Sequence, residues 1–518
     1  MQTLVHNPVI PGYHPDPSIC RVDDTYYLVT SSFEFSPGVP IFSSHNLIDW
    51  ELIGHCLTRP SQLPLKNCQV SEGIYAPTIR YHDGYFFMVT TNVSGGGNFI
   101  VHTTDPAGEW SEPAWVSQGG IDPSLLFFQD KVYFVSNGDC HGNSGIFLCE
   151  VNPFTGEMLT DSILISKGCG GKYPEAPHMY YIDGYFYLML AEGGTEYGHM
   201  VTMQRSTSPY GPYVPSPHNP ILSNREQPIG PNCISCTGHA DLIQDQNGNW
   251  WLTALGVRTI STNSNRLLLH NLGRETFLAP LYWQDGWCIA GNNGILEMEF
   301  SAELPDCDFK EDIPPGDTVK SPLFIEDFQG KTWDLEFTQI RNPSRILYKL
   351  NSQEGTLTLY GKDSLCTPLI SPTFLGIRQN SFCQRASVKV SCSSSDENGL
   401  AGLTVYYNNE HHYDIGIRIK ENAKILIFRR QIYDLIKEEV LFPVPDPEIQ
   451  LEIIADKNYY SFYYFSSSGD HIFLGKGATA ALCTEITRHM TFTGTFFGMF
   501  AEHATAAFRC FVRETLEK

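Results

Sequence analysis

Five short apolar strands in this chain each begin the same distance before a hairpin turn, and that shared register constrains the fold more than any other feature. The turns are marked by Asp24, Gly84, Asp130, Gly184 and Gly248, each just ahead of an aromatic or β-branched run. Eight residues before them stand Asp16, Ala76, Asp122, Ala176 and Ala240. Pro17, Pro77, Pro123 and Pro177 follow in the first four copies, whereas Asp241 takes that place in the fifth. One residue earlier, Glu175 and His239 hold the mouth of the fourth and fifth copies. Three copies out of five therefore carry an acid at the same point.

Each copy reads as a strand, a turn rich in Asp, Asn and Gly, and a second strand: SICRV into YYLVTS, TIRYH into FFMVTT, and so on. Asp-Gly and Asn-Gly between such runs are hairpin signals. A further apolar pair follows in each unit, with RLLLHNL supplying the third strand of the fifth. A repeat of this length made only of strands predicts a five-bladed β-propeller over residues 1–305. The mixed-charge, proline-bearing stretch PDCDFKEDIPPGDTV predicts a linker at 306–320. From 321 to 518 the alternation of GTLTLYG, ASVKVSC, GLTVYYN, YDIGIRI, KILIFRR, IQLEIIA and YYSFYYF predicts a β-sandwich, jelly-roll-like in kind. The fold class is all-β.

The formal net charge of -23 repels nucleic-acid phosphates and anionic membrane surfaces, so neither is an expected partner. No apolar run is long enough to span a bilayer as a helix. The first residues lack a basic region followed by an apolar core, so no signal peptide is expected. Fifteen cysteines without framework spacing suit a reducing cytoplasm. Cys233-Ile-Ser-Cys236 has no second pair at zinc spacing and is read as a buried turn. The glycines at 95–97 lack the strand–GK[ST]–helix context of a phosphate loop and are read as a loop tip.

In a propeller the first strand of each blade lines the axis, so Asp16, Asp122, Glu175 and His239 converge at one end of the channel, with Tyr75 and Ala76 in the equivalent place of blade two. A lone Asp before Pro is ordinarily a turn former. Three acids in register are different: like charges at short range raise one another's proton affinity, a cost without purpose unless something uses the group. Glycosidic bond cleavage needs such a set: one acid protonates the leaving oxygen, and a carboxylate activates water on the opposite face. Glu175 suits the acid and Asp16 the base. A non-catalytic lectin or scaffold is the reading from another class, since propellers host many functions; it gives the acid triplet no reason to stay in register.

The chain also resembles glycoside hydrolase family 43, in particular its two-domain β-xylosidases and α-L-arabinofuranosidases. The likeness rests on NPVIPGYHPDPS, SSFEFSPGVPIFSSHNLIDWELIG, IDPSLLF, YPEAPHMY followed by AEGGT, TGHADL and HNLGRETFLAP, in order along nearly the whole chain. It implies an inverting, exo-acting enzyme on small xylo-oligosaccharides, with Asp16 as general base, Asp122 as pKa modulator and orienter, and Glu175 as general acid. It further implies that Arg274 reaches the sugar hydroxyls and that Phe33 walls the terminal sugar, although Phe33 equally suits a core position. Tyr75 stands where many members have Trp. His239 is counted with the substrate-binding residues. No cofactor is needed for the chemistry, but some members hold a calcium ion in the channel through one histidine and several waters; His270 is the best match, with His239 next, and a structural or substrate-binding role for His270 is the alternative. FTGTFFGMF resembles a segment that the second domain sends over the active site, with Phe496 as its aromatic; the alternative places Phe496 in the sandwich core. A homo-oligomer, dimer or tetramer, is expected.

Overall fold

The computed structural model describes residues 2–516, apart from 141, 229, 231–232, 261–267, 306–321 and 467. The expected linker, 306–320, thus lies wholly outside the described residues. Five four-stranded antiparallel sheets are arranged as blades. Their innermost strands are Ser18–Val22, Thr78–His82, Ile121–Phe128, Glu175–Ile182 and Ile234–Gln244. Each pairs with the strand that follows its turn, in the register that the sequence repeat predicts. At two of these turns both central residues are left-handed, Asp83 and Gly84 at φ 48° and 84°, Asp183 and Gly184 at 48° and 85°. That is the backbone of the type I′ hairpin, which Asp-Gly favours.

The fifth blade departs from expectation. Its outer strands are Glu275–Gln284 and Trp287–Ala290, not RLLLHNL. Residues 268–272 form no strand, and Leu269 and Leu272 are buried against Phe382 and Cys483 of the second domain. The run is apolar because the sandwich covers it. The ring closes where Gln2–His6 pairs with Glu299–Glu303. Beside it Asn7 donates to the carbonyls of Leu278 (2.9 Å) and Glu297 (2.8 Å), and the His14 N–H donates to the Arg274 carbonyl at 3.0 Å.

At the axis the blades meet in a buried polar knot. The Asp241 carboxylate, 0% exposed, accepts from Ser18 Oγ (2.6 Å), the Ile19 N–H (3.1 Å), Arg80 Nη1 (2.8 Å) and Tyr180 Oη (2.5 Å). These partners come from blades one, two and four, and Asp241 from blade five. Blade three is tied in by Thr78 Oγ1 donating to the Pro123 carbonyl (2.9 Å) and by Ser124 Oγ donating to the Pro177 carbonyl (2.6 Å). Burial alone would push the Asp241 carboxyl up, but Arg80, and after it His178 and the hydrogen bonds, hold it far below the usual range.

The second domain is a sandwich built on two long strands, Gln384–Asn408 and Phe496–Thr515, that pair along most of their length. Strands Leu323–Glu326, Thr356–Tyr360 and Thr373–Arg378 add to the latter, and His411–Lys420 and Ile449–Ala455 to the former. Val388, Leu403, Ile415, Phe462, Met499 and Phe508 lie in its core. A second apolar cluster straddles the two domains, with Tyr13, Phe33 and Phe35 of the propeller against Phe374, Tyr406, Phe496 and Phe500 of the sandwich. A strand pair, Gln339–Ile340 with Phe35–Ser36, crosses the same seam.

Removing one partner of a buried ion pair leaves an uncompensated charge, at about 3–5 kcal/mol. Asp241→Asn is therefore expected to lower the unfolding midpoint sharply, and the double variant Asp241→Asn/Arg80→Met to recover part of the loss; thermal unfolding followed by circular dichroism checks both.

Candidate active site

The innermost strands do not begin regularly. Register shifts interrupt the pairing between Ile121 and Ser124, between Glu175 and His178, and between Ser235 and Ala240. At these bulges, and at the entry to blade one, the chain turns left-handed: Asp16 at φ 56°, Asp122 at 54°, Ala176 at 48° and His239 at 41°. A bulge re-aims the side chains around it, and such strained conformations gather at functional sites. Here the bulges bring Asp16, Asp122, Glu175 and His239 together at one end of the channel.

Asp16 is buried and well supplied with donors. Ser31 Oγ donates to its Oδ2 at 2.5 Å and Arg274 Nη1 to its Oδ1 at 3.2 Å, while His239 Nδ1 lies 3.6 Å from Oδ1. Burial by itself would raise its proton affinity; Arg274, then His239, Ser31 and His199, outweigh burial and leave the carboxyl below its ordinary value. Among the described residues Asp122 accepts only from the Ala176 N–H, at 3.1 Å. Burial first, then the charges of Glu175 and Asp16, push it well up. Glu175 is raised as well, by burial and next by the charge of Asp16, against a smaller pull from Arg274. The proton affinities within the site are thus opposed, lowered at Asp16 and raised at Asp122 and Glu175. The hydrogen bond from Ala176 also fixes Asp122 one peptide away from Glu175. Burial lowers the proton affinity of His239, against the opposing pull of Asp16.

Aromatic rings wall the space beside Arg274. Phe33 is only 2% exposed, with its ring centroid 5.2 Å from Tyr75 and 5.5 Å from Phe492. The Arg274 guanidinium carbon lies 5.6 Å from the Phe33 centroid and 5.0 Å from that of Phe492. Its Nη1 also donates to Thr195 Oγ1 at 3.1 Å. Phe33 thus takes the core position that was the alternative, in the interdomain cluster, with Arg274 over its ring.

The expectation for Phe496 requires correction. It opens the strand Phe496–Thr515, opposite Arg378 and Tyr406, and is 0% exposed with its ring stacked on Phe35 at 4.4 Å. The sandwich aromatic that reaches the site is Phe492, four residues earlier, whose N–H donates to Ser71 Oγ at 2.8 Å. Gly494 is where this segment passes the propeller: a Cβ there would lie 2.2 Å from the Leu272 carbonyl oxygen. The two backbones approach too closely for a side chain. Gly498 sits inside the strand, against the Phe374 ring. Sequence reasoning also missed His199, whose Nδ1 lies 3.0 Å from the Cys236 carbonyl and whose ring leaves no room for a side chain at Gly238.

His270 does not join the carboxylates. Its Nδ1 lies 2.7 Å from Glu485 Oε1 of the sandwich, and a cavity of about 430 Å³ next to it is lined by Arg274, Tyr197 and Phe492. Calcium takes six to eight oxygen ligands. Among the described residues no group of three or more His, Cys, Asp or Glu is placed to hold a metal ion. At the propeller axis the acidic position is already occupied by the Arg80 guanidinium. The residues present do not fit a calcium site at His270, which instead ties the propeller to the sandwich. The Cys233–Cys236 stretch is likewise the entry to the fifth inner strand, not a turn alone; both cysteines are free, with Cys233 Sγ 3.0 Å from Thr259 Oγ1.

A carboxyl of lowered proton affinity grouped with two of raised affinity suits acid–base hydrolysis. The comparisons agree. Residues 5–288 match the model of Glycosyl hydrolases family 43, and residues 325–511 match that of the Beta xylosidase C-terminal Concanavalin A-like domain. The chain belongs to glycosyl hydrolase family 43 and is a glycoside hydrolase. It is 40% identical over 507 residues to the non-reducing end alpha-L-arabinofuranosidase BoGH43B of Bacteroides ovatus, covering 96% of this chain and 92% of that protein. It is 31% identical to a beta-xylosidase of Bacillus subtilis, covering 98% and 99%. Among solved structures, xylan beta-1,4-xylosidase from Bacillus halodurans superposes with a TM-score of 0.88 at 30% identity, covering 98% of this chain and 100% of that one. Catalysis in this family needs no cofactor.

Two measurements test the geometry. Arg274 lowers the proton affinity of both Asp16 and Glu175. Arg274→Met is therefore expected to shift both limbs of the kcat/KM–pH profile to higher pH, along with a loss of activity. Phe492→Ala is expected to raise KM with little change in unfolding temperature, whereas Phe496→Ala, a buried ring lost, is expected to cost about 3–5 kcal/mol of stability.

Proposed function

We propose that this chain is an exo-acting, inverting glycosidase that releases xylose from the non-reducing end of small xylo-oligosaccharides, and that it also accepts α-L-arabinofuranosides. The observation that carries this reading is the opposed proton affinities of Asp16 and Glu175 across one pocket that the second domain helps to wall. Glu175, kept protonated by burial and by the charge of Asp16, gives its proton to the glycosidic oxygen as the bond breaks. Asp16, kept ionised by Arg274, takes a proton from the water that attacks the anomeric carbon from the opposite face. The Glu175 carboxylate and the protonated Asp16 then exchange protons with solvent to restore the starting state. Asp122 positions Glu175 and tunes it by like-charge repulsion. Phe492 reaches over from the sandwich, and its ring beside Phe33 and Tyr75 supports a pocket for one terminal sugar instead of a groove for a continuous chain.

A preference for arabinofuranosides is the second reading, favoured by the 40% identity to a relative named as an arabinofuranosidase. A reducing compartment is proposed as well, supported by the free, mostly buried thiols of the described cysteines.

Roles are separable by leaving group. Glu175→Ala is expected to lose nearly all activity on xylobiose and to keep most of it on a nitrophenyl xyloside, whose leaving group needs little protonation, while Asp16→Ala loses both. An identical leaving-group dependence in the two variants would contradict the assignment. Inversion requires carboxyls about 6.5–9.5 Å apart, to admit water. Proton NMR of the first xylose released from a β-xyloside is expected to show the α-anomer; a β-anomer first would overturn the mechanism. Nitrophenyl β-xyloside and α-L-arabinofuranoside assayed side by side decide the sugar.

A further inference from the structure

The chain enters the fourth inner strand through residues 167–174, which lead directly to Glu175, and this loop is held with unusual care. The Glu192 carboxylate, itself 1% exposed, accepts from the N–H groups of Cys169 (2.5 Å) and Gly171 (2.9 Å). The Lys172 carbonyl accepts from the Gly193 N–H at 2.7 Å, and the Pro174 carbonyl from Asn137 Nδ2 at 2.6 Å. Between these two pinned carbonyls sits Tyr173, left-handed at φ 52° although it precedes a proline, a position that disfavours helical backbone. The strain is not repaid by burying the ring, since Tyr173 is 65% exposed, well above the other large side chains beside the site.

The ring is nonetheless placed. It lies against the backbone of Gly194, where a Cβ would be 3.6 Å from Tyr173 Cδ2. The next residue, Thr195, accepts from Arg274, which in turn holds Asp16. Tyr173 is therefore an exposed ring two residues before Glu175, packed at Gly194 beside the Thr195 that bonds Arg274. A general acid protonates the oxygen that departs with the leaving group, so the leaving sugar has to lie beside Glu175. An exposed aromatic face on a rigid backbone suits the apolar face of a sugar ring, at small entropic cost because the loop is already ordered.

We infer that Tyr173 is the platform on which the leaving-group sugar of an oligosaccharide substrate stacks, and so determines the preference for a sugar leaving group over smaller ones. This deepens the glycosidase function proposed above and rests on it. The test compares xylobiose, whose leaving group is a sugar, with β-D-xylosyl fluoride, whose leaving group is a single atom. Tyr173→Ala is expected to lower kcat/KM for xylobiose about tenfold, the effect of one lost stacked ring, and to leave xylosyl fluoride and the unfolding temperature unchanged. Tyr173→Phe is expected to retain both activities, since the ring and not the hydroxyl makes the contact. Equal loss on the two substrates in Tyr173→Ala, or no loss on either, overturns the platform and leaves the glycosidase reading standing. A wild-type enzyme that cleaves neither substrate overturns the xylosidase reading and the platform with it.

Discussion

The Asp241 carboxylate is the constraint on which the propeller depends. A ring of five near-equivalent blades has no intrinsic reason to fix its centre, because each blade packs mainly on its two neighbours. Asp241 breaks that equivalence. Its oxygens accept from side chains and backbone of blades one, two and four at once, and Arg80 supplies the compensating charge. A buried ion pair is weak evidence for stability compared with apolar packing, but a satisfied network specifies a single arrangement. Asp241 lies two residues beyond His239, and Ser18 lies two residues beyond Asp16. The knot is therefore only two residues along the chain from Asp16 and His239, the carboxylate and imidazole at the end of the channel.

The second constraint is steric. The sandwich walls the site only because the segment 492–495 can lie directly on the propeller backbone. Gly494 against Leu272, with Gly273 left-handed at φ 82° on the facing chain, allows that approach. Thr495 then bonds Asn271 through its N–H at 2.9 Å, and Asn271 reaches Tyr460 of the sandwich at 2.7 Å. Arg274 follows immediately. The residue that sets the charge of Asp16 and the ring that covers it are thus positioned by one interdomain contact, and the two domains form one site.

The propeller was legible because its signal is repeated: five turns in one register carry more information than any single hairpin, and the mouth residues Asp16, Asp122 and Glu175 fall out of the same count. What failed was local. RLLLHNL has the composition of a strand because the sandwich buries Leu269 and Leu272, and burial by another domain looks the same in sequence as burial in a sheet. Phe492 and Phe496 sit four apart in an aromatic run, and glycine appears beside both a close approach and a strand interior, so composition could not separate them. Asp241 was visible only as a missing proline. Its partners lie 61 to 223 residues away along the chain, and nothing local announces them.

The division of labour among the three acids follows from the same asymmetry. By register Asp16 and Asp122 are equivalent, with the same left-handed backbone at nearly the same φ and the same following proline. Their proton affinities nevertheless move in opposite directions. The backbone cannot account for this, because it is shared. Arg274 and Ser31 can: they bond Asp16, whereas Asp122 receives one peptide N–H and faces Glu175. Arg274 comes from the blade beside Asp16 across the closure of the ring, and the cation–π contacts with Phe33 and Phe492 hold its guanidinium there. The repeat therefore delivers carboxylates equivalent in backbone, and the closure of the ring, together with the second domain, moves their proton affinities apart.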